Sequence, residues 1–189
     1  PEEIGWYSYD RHVESIVRLV ESLDLRAITL VVHDWGGPIG LRFAVEHPDL
    51  RVYAVDPHNG AVGASDQGII GAGPTFDRFR ANMETAGVST VIEPILQYSW
   101  EVAWRRPIDL LFIDGLHDYG NVAQDFHTFQ AFLKRGALVA FHDYASYYPG
   151  VRAFVDEMVA AGDFTLVCRA RSMILLRWMA APFEHAPDA

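Results

Sequence analysis

The feature that most constrains this chain is an alternation: short apolar runs rich in β-branched residues take turns with longer amphipathic segments over most of the sequence. Ala27 to Val32 lacks polar alternation, which suits a strand buried on both faces of a parallel sheet, and Arg51 to Val55 and residues 108–113 and 137–142 are expected as further strands. A further strand is expected at about 89–95. Between them, Val13, Ile16, Val17, Leu19, Val20 and Leu23 recur at helical spacing within 9–24. Ile39, Phe43 and Ala44 mark another helix, ending near His47-Pro48 because proline disfavours helical geometry in the residue before it. Helices follow at about 74–86, 99–104 (short), 119–134 and 150–161. Two closing strands, 164–169 and 172–178, flank Ala170-Arg171, and so tight a link makes them antiparallel. The expected fold is α/β: a doubly wound, seven-stranded, mostly parallel sheet with a C-terminal antiparallel pair and right-handed crossovers. One domain spans 1–180, and 181–189 (APFEHAPDA) reads as a loose tail.

Composition narrows the function classes. A length of 189 residues supports one substantial core. A formal net charge of −10 opposes nonspecific nucleic-acid binding, which needs clustered cations; Arg105-Arg106 and Lys134-Arg135 are expected at helix ends. No membrane span or signal peptide is visible, so a soluble, cytoplasmic protein is expected. The oligomeric state is open, a homo-oligomer included. Pro1 is not a translation start, so a fragment or a processed chain is expected. The single cysteine, Cys168, excludes an internal disulfide and is expected to be a buried small residue in the run FTLVC.

In doubly wound sheets, ligands sit at the carboxyl ends of the strands. Those ends carry His33 and Asp34, then Asp56, then Asp114, then His142 and Asp143. One strand-end Asp is often only a helix cap or a turn former. Several on one edge make a site. His117 is a candidate general base, because an imidazole titrates near neutrality. Trp100 and Trp104 are expected to pack a helix on the sheet, with adenine stacking the alternative. Tyr144, Tyr147 and Tyr148 are candidates for an acceptor pocket, against surface packing. The glycine-rich stretch 61–74 reads as a lid or a long connection.

From about Val52 to 178 the chain resembles the class I, Rossmann-like S-adenosylmethionine-dependent methyltransferases, in particular small-molecule O-methyltransferases with a divalent-metal site. The resemblance rests on VYAVDPHNG, FRANMETAGV, IDLLFIDGLHDYGNVAQDF, LVAFHDY and the closing antiparallel pair. It implies that Asp56 accepts hydrogen bonds from the cofactor ribose and that the turn at Gly36 and Gly37, beside Asp34, lets the backbone approach the methionine part. Ser99 and Gln97, near the end of the third strand, are candidates to reach the adenine. Asp114, His142 and Asp143 become the metal ligands, with Asp114 and His117 in the catalytic step on a small-molecule hydroxyl acceptor. Relatives carry an acidic pair where this chain has His142-Asp143, and an imidazole shifts the expected ion from magnesium toward softer metals.

The first 49 residues resemble something else. IGWYSYDRHVESIVRLVESLDLRAITLVVHDWGGPIGLRFAVEHPD is similar to the segment of haloalkane dehalogenases, α/β-hydrolases, that leads into the nucleophile elbow. The resemblance implies Asp34 as nucleophile and Trp35 as halide binder. Hydrolysis of an esterified Asp needs a His and a supporting acid downstream, and that resemblance stops at about Asp49. The two segments meet near Pro48 to Arg51, as in a chimera, natural or engineered, whose elbow occupies the place of the cofactor turn. A catalytically silent scaffold is the alternative outcome, since Trp35 and Pro38 crowd that turn.

Overall fold

A computed structural model describes residues 29–33 (as backbone), 51–60 and 73–180. The strands are β1 (Thr29–His33), β2 (Arg51–Val55), β3 (Ile92–Ile95), β4 (Ile108–Ile113), β5 (Leu133–Phe141), β6 (Phe164–Ala170) and β7 (Met173–Trp178). Among the described residues, three α-helices lie between them: α1 (Phe76–Ala86), α2 (Tyr119–Phe129) and α3 (Pro149–Ala160). The sheet order is β3-β2-β1-β4-β5-β7-β6. Strands β1 to β5 pair in parallel, and β7 runs antiparallel to both β5 and β6.

Successive strand residues point to opposite faces, so an unbroken apolar run must be covered on both. Both covers are present. On one face Val52, Ala54, Leu110 and Phe112 pack with Phe79 and Met83 of α1. On the other, Tyr53, Val55, Leu111 and Ile113 meet Phe126 of α2 and Phe154 of α3. The helix ends follow local chemistry. Asp118 caps α2 by accepting the Asn121 amide at 3.0 Å. α3 opens on Pro149, whose missing N–H costs nothing in the first turn. A Cβ on Gly150 would lie 2.5 Å from the Tyr119 nitrogen, so α2 and α3 start side by side only because this residue is glycine. None of the described helices is long and apolar enough to cross a membrane.

Several expectations need correction. The helix predicted to run to 134 stops at Phe129, a 3-10 turn spans Gln130–Phe132, and β5 begins at Leu133 rather than 137. The cause is a break in register: Leu133 pairs with Ile108 but Leu138 with Leu110, and Gly136 takes up the slack at φ 82°. Lys134 therefore lies in a strand, 2.7 Å from Asp109. Arg106 lies beyond a 3-10 turn, against the Tyr53 hydroxyl and Glu93. Cys168 is exposed, because β6 is the sheet's outer strand and carries an irregularity between Leu166 and Cys168. The β6–β7 link is Arg171-Ser172. Trp104 packs edge-on against Tyr53 and Phe129, whereas Trp100 is 41% exposed and stacks on Tyr98. The predicted helices at 9–24 and 39–47, most of the glycine-rich stretch and the tail lie outside the described residues.

Candidate active site

Parallel pairing aligns the carboxyl ends of β4 and β5, and the sequence puts a polar group at each. The His142 amide donates to Ile113 O at 3.0 Å, which extends the pairing one step past the strands and sets Asp114 beside His142. Asp143 then turns at φ 55°. That left-handed conformation costs most residues about 1–2 kcal/mol, less for Asp. It is held by Tyr144 N donating to Ser172 O at 2.7 Å and Ala145 N to Asp143 O at 2.8 Å. His117 arrives from the loop between β4 and α2, its ring stacked on Tyr148 at 4.0 Å.

Four side chains converge there. His117 Nε2 lies 2.9 Å from Asp143 Oδ2; His142 Nδ1 lies 2.9 Å from the same oxygen and 3.2 Å from Asp114 Oδ1. One donor atom each from Asp114, His117 and Asp143 falls within 4.8 Å of the others. Burial raises the pKa of Asp114, partly offset by His142. Burial also disfavours the His142 imidazolium, but hydrogen bonds to Asp114 and Asp143 outweigh it and hold its pKa up at about 10. For Asp143 the burial penalty is likewise overcome, by His117 and His142, and its carboxyl stays well below the usual range. Two carboxylates and an imidazole form a donor set that fits a divalent ion of borderline softness better than magnesium.

The expected cofactor residues are placed differently from one another. Asp56 leaves the end of β2, its amide bonded to Ile95 O at 3.1 Å and its side chain 22% exposed. Its Oδ1 accepts the His58 amide at 2.6 Å. Since only β1 separates β2 from β4, the two groups lie about two strand spacings, roughly 10 Å, apart on one sheet edge. Ser99 is 1% exposed and its hydroxyl donates to Asp125 of α2, so that hydroxyl is engaged inside the protein. Asp34, Gly36 and Gly37 lie outside the described residues, as do Trp35 and Pro38. Of the three tyrosines, Tyr144 is buried with its hydroxyl on Asp156, Tyr147 is exposed and Tyr148 covers His117.

Sequence reasoning missed Asp125, His58 and Thr75. Asp125 had a signal, standing seven residues after the Asp118 cap on one helical face. The other two meet across a 17-residue separation that no spacing rule reveals.

A family model described as a methyltransferase domain matches residues 39–144, more than half the chain. The chain belongs to that methyltransferase family. S-adenosylmethionine is the cofactor expected of it. The O-methyltransferase NovP shares the fold with a TM-score of 0.67 at 16% identity, over 90% of this chain and 79% of NovP. Among curated proteins, haloalkane dehalogenase 1 of Mycobacterium tuberculosis is 33% identical over 180 residues, 94% of this chain and 50% of that protein, so this likeness runs past Asp49, where it was expected to stop. The haloalkane dehalogenase of Mycolicibacterium paratuberculosis is 53% identical over 49 residues, 26% of this chain and 16% of its own length. The chain thus spans half the length or less of these curated relatives.

Proposed function

We propose that this methyltransferase domain transfers the methyl group of S-adenosylmethionine to a hydroxyl of a small molecule. The observation that carries the reading is the convergence of Asp114, His117, His142 and Asp143 on the sheet edge that also bears Asp56. Asp56 takes the ribose hydroxyls and fixes the cofactor relative to the cluster. The cofactor, when bound, would supply an activated methyl group for in-line transfer to the acceptor oxygen, the S–C bond giving way to an O–C bond. His117 takes the hydroxyl proton, and Asp143, 2.9 Å from its Nε2, stabilises the imidazolium that forms. Asp114, His142 and Asp143 are the residues that would hold a divalent ion, beside His117. Such an ion, when bound, lowers the pKa of the acceptor hydroxyl.

Calorimetry with S-adenosylhomocysteine tests the cofactor half. Binding is expected for the wild type, with at least about tenfold loss in Asp56→Ala, the scale of a hydrogen bond to a charged group. Equal affinity in the two proteins sinks the assignment of Asp56. For the ion, a chelator is expected to abolish turnover and manganese or iron to restore it better than magnesium.

A second reading has its own support in the 49-residue match to a dehalogenase: Asp34 retains nucleophilic chemistry on a haloalkane. Halide release that disappears in Asp34→Ala would establish it. A chain that neither binds cofactor nor releases halide is a folded scaffold.

A further inference from the structure

The turn after Asp56 holds a residue with no part in the reading above. His58 is 8% exposed and sits at φ 53°. A non-glycine residue stays in that conformation only where its surroundings over-determine it. Here they do. Its carbonyl accepts the Thr75 amide at 2.9 Å, and its ring Nδ1 lies 2.8 Å from Thr75 Oγ1. The ring packs on Phe76 and Phe79 at centroid distances of 5.5 and 4.9 Å. A clasp between His58 and Thr75 thus joins the end of β2 to the start of α1. Just beyond it, Gly60 and Gly73 touch so closely that a Cβ on Gly60 would lie 2.2 Å from Gly73 O.

The choice of histidine calls for a reason. Its Nε2 is buried without a hydrogen-bond partner among the described residues, an arrangement that costs stability. Between two phenylalanines a third apolar ring would avoid that cost. What histidine adds is the Nδ1 bond to Thr75, and with it a fixed backbone. Burial lowers the pKa of this ring against the pull of Asp56, which keeps it neutral and able to accept from the threonine hydroxyl. The backbone so fixed aims the His58 amide at Asp56 Oδ1 over 2.6 Å. Asp56 Oδ2 has no hydrogen bond among the described residues, and His58 Nδ1 is 3.9 Å from it.

We propose that His58, clasped to Thr75, is a positioning residue that locks the Asp56 carboxylate, with Oδ1 held by the His58 amide and Oδ2 presented to the ribose diol of a nucleoside cofactor. The proposal rests on Asp56 being the ribose ligand, and its test separates the two claims. Calorimetry on the full chain compares S-adenosylhomocysteine with its 2′,3′-dideoxy analogue. Wild type is expected to prefer the diol by about tenfold or more. In Thr75→Val and in His58→Phe, which keeps the ring volume, that preference should fall to about twofold while affinity for the dideoxy analogue holds. General damage to the fold would instead weaken both ligands. His58→Asn, which tolerates the left-handed conformation and can bond Thr75, should recover most of the preference.

Circular dichroism and thermal melting establish that each variant is folded, and if one is not, the other carries the comparison. An undiminished preference in a folded His58→Phe or Thr75→Val overturns the positioning role and leaves Asp56 in place. Parallel loss of both ligands overturns it too. A wild type that binds both ligands equally overturns the Asp56 assignment, and this proposal with it.

Discussion

At the scale of single residues, the cluster at the ends of β4 and β5 is a problem of charge in a nearly dry space. Asp114 is 6% exposed and Asp143 shares one oxygen between two imidazoles, so the carboxylates need a cation close by. Without an ion, His142 supplies it. Its folded pKa of about 10 lies above the ordinary 6.5, so the stability it confers is complete below pH 6.5 and lost as pH rises through 10. Asp143 works in the opposite sense: its depressed pKa confers stability above the ordinary 3.8 that is lost on acidification. In chelator-treated protein the melting temperature of wild type should therefore exceed that of His142→Gln most near pH 6, with the gap closing toward pH 10. A gap that is constant across that range would show that His142 is not held protonated by its neighbours. The proton also bears on ion binding, because an imidazolium cannot be a ligand. Apparent affinity for manganese, measured by calorimetry, should rise with pH.

At the scale of elements, the Asp118 cap shows how a helix end supports the site. Asp118 follows His117 directly and opens α2, with both its oxygens on Asn121. Asp118→Ala should cost about 1 kcal/mol and lower the melting temperature by about 2–4 °C, whereas Asp118→Asn should cost little. Hydrogen bonds from Asn121 outweigh partial burial and depress the Asp118 pKa, so this contribution is present above the ordinary 3.8 and lost as pH falls. The difference between Asp118→Ala and wild type should accordingly shrink in acid. The same elements show what the sequence can disclose. The bounds of β4 match the expected 108–113 because burial on both faces leaves no room for a polar residue at its centre. The start of β5 was illegible, since Lys134 and Arg135 look like a helix end until the break in register is seen. Cys168 misled because an apolar run does not reveal whether its strand is central or outermost. The cluster was legible from IDGLH and FHDY, which place polar groups after apolar runs. The clasp at His58 was not, being a contact between chain segments.

At the scale of the molecule, the sheet divides the interior into two layers that share one backbone. On the side of α2 and α3, Phe126 is fully buried, its ring centroid 6.1 Å from Phe141, 5.7 Å from Phe154, 5.5 Å from Phe164 and 5.7 Å from Trp178. On the other side Met83 of α1 packs against the opposite face. Phe126→Ala should cost about 3–5 kcal/mol and Met83→Ala about 2–5 kcal/mol, each a large part of the roughly 5–15 kcal/mol that stabilises a domain. The layers lie about 10 Å from the sheet on either side, so the two cavities share no neighbours and their costs should add to within about 0.5 kcal/mol. Yet both layers hang on the same hydrogen-bonded strands, and each variant should still unfold in a single transition with an unchanged dependence on denaturant. Urea titration of the two single variants and the double variant checks both points. A coupling well above 1 kcal/mol would mean that strain passes through the sheet. Two separate transitions in either single variant would mean that the layer on α1 and the layer on α2 and α3 fold independently, and the sheet edge that carries Asp56 and the cluster would then be held from one face only.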